Sequence, residues 1–523
     1  MVEDVWKFSF FRADKIGKAM GIKEDDPRRL RGALLTAVKI FAENGSLFAK
    51  RDELIEKASE ITGQPSELFP QEIEELIGYG RLVDSLDGIY LPVSSNAEVE
   101  TAEKLSSLLK STDNGVPGDF DLPEKDLEGH VFTAEQRKAI ETVRDNPVSI
   151  ITGDPGTGKT TTVRGLIRLF EDEGKKVLLT APTGRSAKKL ETIAGANART
   201  IHRILGFNRG KGYLHKKLDA DVLIVDESSL LEQVLFNHLL NALPDKIKII
   251  FVGDAGQLPP IGAGRVFEDL IESEVIPTVR LTHNFRQAAG SELALNIGKI
   301  QRGEMPESSN SGDFMFLEEN DPEKIKDMVI EMVTSTLPEK FGIRPHEIQV
   351  VSPQLDGILG TQNLNSELQE RLYPNAPEIV RGIKRFRLGD RVVQTINSSK
   401  RGVYNGETGW ISSLDPEKKR LTVTFNDGKT SVYSANDLGE ISLAYATSVH
   451  KLQGTETGYM VMPLTIDHRN MLYRNLLFTA VSRARDFCAL IGQKEALKKA
   501  VESLPPRQRN SNLKKRLVNS LSS

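Results

Sequence analysis

The sequence predicts an α/β protein built on parallel sheets, with a smaller helical and winged-helix-like region in front of them. From residue 131 onward, apolar strand runs alternate with helical segments, at 148–152, 177–180, 222–225, 247–252, 348–352, 459–462 and 487–491. Strands apolar along their whole length are those buried on both faces, as in parallel sheets covered by helices. The chain has 523 residues, enough for three or four domains at ~100–200 residues each. Before residue 96 the rhythm differs, with three helices followed by a terminal hairpin.

The elements follow in order. Residues 5–26 read as short helical pieces around Phe8, Phe10, Phe11, Ile16 and Met20. Leu30, Leu34, Leu35, Val38 and Phe41 recur at helical spacing over 28–44, and Gly45 ends that helix. A short strand at 46–49 precedes helices at 52–61 and 65–79. Arg81-Leu82-Val83 and Ile89-Tyr90-Leu91 flank Asp87-Gly88, a hairpin turn signal. The expected division is therefore a short helical piece at 1–26, a winged-helix-like domain at 27–95, and a helix plus linker at 96–130. The linker is read from Pro117, Gly118 and Pro123 among acidic residues. Two α/β domains follow, at 131–280 and 281–500. Turns at Asn405-Gly406 and Asn426-Asp427-Gly428 mark a small β-barrel insertion at about 401–440. The last segment, 501–523, carries Lys514-Lys515-Arg516 and reads as a loose polar tail.

Composition narrows the function. Lys and Arg number 69 and Asp and Glu 73, a formal charge of −4, so any polyanion site must be a local stripe rather than a basic coat. A hydrophobic share of 39% with 27% charged residues is globular. The single cysteine, Cys488, excludes an intrachain disulfide and a cysteine-based zinc cluster. No apolar run approaches the ~18 residues of a membrane span. Met1-Val2-Glu3-Asp4 lacks the layout of a signal peptide, so a cytoplasmic location without membrane contact is expected.

Four constellations carry chemistry. Gly153-Asp154-Pro155-Gly156-Thr157-Gly158-Lys159-Thr160, followed by Thr161, fits a phosphate loop between a strand and a helix. There, backbone N–H groups wrap phosphates, Lys159 reaches the β- and γ-phosphates, and Thr160 ligates Mg²⁺. Asp226-Glu227 ends the strand 222–225. An acidic pair at a strand end means little alone; after a phosphate loop, Asp226 suits magnesium and Glu227 suits orienting and deprotonating water. In Gly253-Asp254-Ala255-Gly256-Gln257-Leu258-Pro259-Pro260, the uncharged Gln257 suits sensing a γ-phosphate without neutralising it. Arg286, in Asn284-Phe285-Arg286-Gln287, and Arg483, in Ser482-Arg483-Ala484-Arg485, offer the positive charge that phosphoryl transfer needs, often from a second domain.

In this order the motifs resemble those of superfamily 1B DNA helicases, specifically the stand-alone RecD-like branch that works without RecB and RecC. Besides the four constellations, the likeness includes Phe132-Thr133-Ala134-Glu135-Gln136-Arg137, Thr180-Ala181-Pro182-Thr183-Gly184-Arg185-Ser186-Ala187 and Thr200-Ile201-His202-Arg203-Ile204-Leu205. It continues through Tyr445-Ala446-Thr447-Ser448-Val449-His450-Lys451-Leu452-Gln453-Gly454-Thr455-Glu456 and 478–485. The resemblance implies two RecA-like motor domains with ATP between them, a β-hairpin pin at about 203–220 and an SH3-like barrel at the insertion. It implies that Gln136 reads adenine, and that Gln257, Arg286, Gln453 and Arg483 couple the γ-phosphate to cleft closure, with Gly454 and Glu456 completing the motif. Thr183, Thr200, His202, Thr447 and His450 match positions near the DNA strand.

The implied function is ATP-dependent translocation 5′→3′ on single-stranded DNA with unwinding of forked duplex, in repair or recombination. Two alternatives stay open: an RNA helicase of the same superfamily, and a DNA-stimulated ATPase switch that does not unwind. In front of the motor, the resemblance implies a partial helix-hairpin-helix-like region at 1–26, but Phe8-Ser9-Phe10-Phe11 lacks its phosphate-binding hairpin glycines, and Glu67, Glu72, Glu74 and Glu75 crowd the third helix of the winged-helix-like domain. Acid there repels phosphate. That region is expected to be scaffold or a contact for a protein partner.

Overall fold

The computed structural model describes residues 10–111, 125, 129–195, 197–207, 212–213, 217–285, 290–309, 312–398, 400–505 and 508–522. Its backbone is organised by two parallel sheets. The first has six strands in the spatial order Ala198–Thr200, Val177–Ala181, Val222–Val225, Lys248–Gly253, Val148–Gly153 and Thr278–Leu281. Every pairing in it is parallel. Apolar clusters cover both faces, one around Ile151, Leu166, Phe170 and Ile224, the other around Val148, Leu223, Phe236 and Phe251. The second sheet is also parallel, in the order Phe314–Glu318, Ala484–Gly492, Thr457–Leu464, Ile348–Ser352 and Ala446–Ser448. It too is packed on both faces. These two RecA-like lobes are the α/β architecture read from the sequence, and the strands read there are the interior ones.

The insertion in the second lobe is an antiparallel five-stranded sheet. Its order is Thr430–Tyr433, Arg420–Phe425, Thr408–Asp415, Arg391–Gln394 and Ile441–Leu443. The short 3-10 turn Asp437–Glu440 precedes the last strand, giving the SH3-like pattern. The expected bounds of 401–440 need correction. The sheet takes an interior strand from 391–394, before the expected start, and is preceded by the hairpin Glu378–Arg381/Lys384–Arg387, whose Ile379 and Phe386 join the barrel core. Arg381, Lys384, Arg385 and Arg387 in that hairpin hid it from a reading based on apolar runs.

At the front, Phe10–Ala19 packs on Pro27–Glu43; then come Phe48–Ala49, Arg51–Thr62, Phe69–Gly78 and the hairpin Val83–Ser85/Gly88–Tyr90. Phe48–Ala49 pairs with the hairpin to make a three-stranded sheet. Glu72 and Glu75 face Arg31, and Glu74 faces Arg51, so much of the acid is used internally. The helix Pro92–Lys110 then welds this region to the first lobe. Gln233 Nε2 donates to Ala97 O (3.0 Å) and Thr101 Oγ1 (2.9 Å), and Asn237 Nδ2 donates to Glu100 (2.7 Å).

The tail is the second correction. Leu513–Ser522 is a helix, not a loose end; Leu513 and Leu517 are fully buried in the first lobe's core. Part of the pin segment, 208–211 and 214–216, lies outside the described residues, as do most of the linker and Arg286. Among the described residues no helix is long and apolar enough to cross a membrane.

Candidate functional site

The phosphate loop leaves the strand Val148–Gly153 and enters the helix Lys159–Asp172. Lys159 Nζ folds back to donate to Gly153 O and, at 3.0 Å, to Asp154 O, so its charge lies inside the loop's curve. Thr157 Oγ1 donates to Asp154 O (2.8 Å) and fixes the turn. Gln136 is buried beneath the loop: Nε2 donates to Gly158 O (3.2 Å), and Oε1 accepts from Thr133 N–H (2.9 Å) in a capping box. Both ends of that amide therefore serve the loop and the helix start. Phe285 N–H donates to Gly156 O (3.1 Å), and Asn284 Nδ2 donates to Pro155 O (3.1 Å).

A cleft of about 710 Å³ opens over this loop, lined from both lobes. Gly156, Gly158, Lys159, Thr160 and Thr161 form its floor, Asp226, Glu227, Asp254 and Gln257 one wall, and Glu456 and Arg483 come from the second lobe. Asp226 is half-buried beside Glu227; loss of water, then the neighbouring negative charge, push its carboxyl up to about 6. Burial likewise raises Asp254. Glu227 holds a left-handed backbone, φ 52° and ψ 42°, a costly conformation for a non-glycine residue and one that clusters at functional sites.

Arg483 crosses the junction. It is buried; Nη2 donates to Gln257 Oε1, and Nη1 lies 3.6 Å from Glu227 Oε1. Its Nε is buried without an acceptor, which leaves a donor for an anion in the cleft. Gln257 Nε2 donates to Asp254 (3.0 Å). Leu258 N–H donates to Thr479 Oγ1 (2.8 Å), and Gln453 Nε2 donates to Leu258 O (3.2 Å), so this loop is held by two second-lobe side chains. Gly454 has φ +72°, and a Cβ there would meet Ser186 Oγ at 2.4 Å; a side chain would push the lobes apart. Glu456 pairs with Lys189 at 2.9 Å across the same junction.

A second concavity, about 770 Å³, runs between the lobes and the barrel. Thr183, His202, Thr447 and His450 line it together. Thr200 is not among its lining residues; its hydroxyl caps the helix Ile201–Ile204 by accepting from Arg203 N–H (3.2 Å). Thr183 has a capping role as well, accepting from Ser186 N–H (3.1 Å). Burial lowers the pKa of His202 and His450, favouring neutral rings. The barrel touches the first lobe at this channel. Lys188 Nζ meets Glu407 at 3.4 Å and also Asp427, and Arg203 Nη1 donates to Tyr404 Oη (3.1 Å).

Several residues here went unread in the sequence. Arg185 lines the channel, and burial lowers its pKa to about 10, against the pull of Glu407. Lys189, four residues on and so on the same helix face, lines the cleft. That spacing was available as a signal. Gln301 Nε2, from the second lobe, donates to Asp154 Oδ1 (2.7 Å), and nothing local in the sequence marks it.

Two RecA-like lobes, a phosphate loop at their seam, an arginine entering from the far lobe and a channel across both define an ATP-driven nucleic-acid motor. The chain matches the AAA domain family over 131–317, the ATP-dependent RecD-like DNA helicase SH3 domain over 364–425, the UvrD-like helicase C-terminal domain over 443–491 and the ATP-dependent RecD2 DNA helicase HHH domain over 1–48. It is 33% identical over 502 residues to the ATP-dependent RecD2 DNA helicase of Deinococcus radiodurans, covering 92% of this chain and 68% of that one. It is 25% identical over 429 residues to the RecBCD enzyme subunit RecD of Mycolicibacterium smegmatis, covering 73% and 74%. A solved Pif1 helicase from Bacteroides is similar at 18% identity, with a TM-score of 0.46, over 71% of this chain and 94% of that one. The chain belongs to the family of ATP-dependent RecD2 DNA helicases.

Proposed function

We propose that the chain moves 5′→3′ along single-stranded DNA and parts forked duplexes, and that the cleft residues act as follows. Lys159 leaves the carbonyls of Gly153 and Asp154 for the β- and γ-phosphates. Glu227 accepts the proton of the attacking water. Gln257 and Arg483, already bonded to each other, report the γ-phosphate to the second lobe, and Arg483 stabilises charge on it in the transition state. Thr160 and Asp226 are the hard oxygen donors for Mg²⁺, which when bound with the nucleotide neutralises phosphate charge. Asp226, with its carboxyl raised by burial, gains most from a cation.

Gln136, whose amide is engaged beneath the loop, would set the adenine position through the loop's own geometry. Thr183, His202, Thr447 and His450 would face the strand, phosphate contacts supplying grip and salt dependence. A reducing cytoplasm suits a chain with one, buried cysteine.

The observation that carries this reading is the contact of Arg483 with Gln257 and Glu227 across the seam. The test is ATPase stimulation by single-stranded DNA against RNA of the same sequence. DNA should stimulate strongly. Lys159→Ala should lose at least ~10²-fold in turnover while keeping most strand binding. Stimulation by RNA alone, or normal turnover in Lys159→Ala, contradicts it.

A further inference from the structure

The hairpin Glu378–Arg381/Lys384–Arg387 is anchored at its base and electrically uncompensated at its tip. At the base, Ile379 and Phe386 stand directly opposite each other and are buried in the barrel core. Side chains alternate along a strand, so the next positions on that face are Arg381 and Lys384, which are also directly opposite. Gly382, with φ +60°, makes the turn in two residues and keeps the pair in register. Ile383, the other turn residue, is 100% exposed. Two like charges in direct cross-strand opposition destabilise a hairpin unless opposite charge lies beside them.

No carboxylate fills that role. Among the described residues neither Arg381 nor Lys384 has an acidic partner. Glu378, in the same hairpin, pairs with Arg385 and Arg387, and Asp437 and Glu440 pair with Arg401. Burial, then the like charges of Arg381 and Lys451, lower the pKa of Lys384. The guanidinium of Arg381 lies over Gly439, where a Cβ would meet Nη1 at 2.5 Å. Lys384 Nζ donates to Ile441 O (2.8 Å) and Ser442 Oγ (2.9 Å), which uses two of its three donors.

These contacts put the tip at the margin of the strand channel. Ser442, which accepts from Lys384, lines the channel, and so does Lys451 from the helix Val449–Leu452. Three cations from two separate segments therefore gather at one edge of the channel, in a chain whose overall charge is −4. A polyanion site in such a chain has to be a local patch of this kind.

We propose that the hairpin tip extends the strand channel: Arg381 and Lys384 bind a backbone phosphate of single-stranded DNA just outside it, and Ile383 packs against the adjoining sugar or base. The inference rests on the motor reading and deepens it, adding a strand contact that lies outside the motif strings.

Binding of single-stranded DNA of ~4 to ~16 nucleotides, without ATP, tests it by fluorescence anisotropy over a range of salt. Arg381→Ala and Ile383→Ser change side chains outside the core, so both should melt no lower than the wild type. Short strands, held in the channel alone, should bind all three proteins alike. With longer strands the wild type should gain affinity. Arg381→Ala should forgo about threefold or more of that gain, and its slope of log affinity against log salt should be shallower by about 0.7. Arg381→Lys keeps the charge and should restore the slope. Ile383→Ser should lose part of the gain at an unchanged slope, because an apolar contact releases no counterion. Wild-type affinity and slope in Arg381→Ala at every length overturn the proposal and leave the cations to another anion, such as an acidic protein segment. An equal loss at every length, the shortest included, also overturns it, since the effect then lies in the channel. Wild-type behaviour of Ile383→Ser overturns the apolar contact alone. If the wild type itself binds no strand, the motor reading falls and the tip contact with it. A wild type that binds, matched by Arg381→Ala, leaves the motor reading standing.

Discussion

Of the cations that line the cleft, Lys159 and Arg483 are those proposed to act on the phosphates, and they would act at different stages. Lys159 belongs to the same loop as the phosphates it would bind, so it contributes to ground state and transition state alike. Arg483 comes from the other lobe and already holds Gln257 and Glu227, so its contribution grows as charge develops on the γ-phosphate. Arg483→Ala should therefore lower maximal turnover by about 10²-fold with less than about fivefold loss of ATP affinity, read from steady-state kinetics and nucleotide titration. A pure affinity loss would remove it from that role. Asp226 gives a pH prediction. Its carboxyl sits near 6 in the folded chain against 3.8 as the ordinary value, so the folded state binds the proton more tightly. The cost to stability is full above about pH 6 and is relieved as pH falls toward 4. Asp226→Asn, melted without nucleotide or metal, should gain about 1–3 kcal/mol near neutral pH, a gain that fades below about pH 5. A gain independent of pH would contradict the assigned cause. At this scale the cleft was legible because its residues come in short strings directly after apolar strands. Gln301 was not, since it meets Asp154 only through packing of lobes 147 positions apart.

Among elements, burial explains what was read and what was missed. The strands read from apolar runs are the interior strands of the two sheets. Those not read, Ala198–Thr200, Thr278–Leu281, Phe314–Glu318 and Ala446–Ser448, are the four sheet edges. An edge strand is covered less completely, and Thr278–Leu281 alternates exposed and buried positions instead of running apolar. The C-terminal helix was missed for another reason. Leu513, Leu517 and Leu521 recur every fourth residue, a helical stripe, but Lys, Arg, Asn and Ser between them give the segment a polar average. Leu517→Ala should cost about 2–4 kcal/mol in chemical denaturation, as expected for a leucine wholly inside a core. A loose tail would show no cost.

For the whole molecule, the two lobes meet at the nucleotide seam and where the barrel touches the first lobe. Gln257, Leu258 and Pro260–Gly262 lie along one stretch of chain that runs from the nucleotide cleft to the second concavity. A closing cleft thus has a short covalent route to the channel, the physical requirement for turning hydrolysis into movement. The polarity of that movement came from family likeness alone, because no spacing in the sequence encodes which way a strand is drawn. The decisive measurement is strand displacement with ATP on matched duplexes carrying a 5′ or a 3′ single-stranded DNA tail. The expected result is separation of the 5′-tailed duplex only, abolished by Lys159→Ala. ATP consumption with both duplexes left intact, or separation of the 3′-tailed duplex alone, would contradict it.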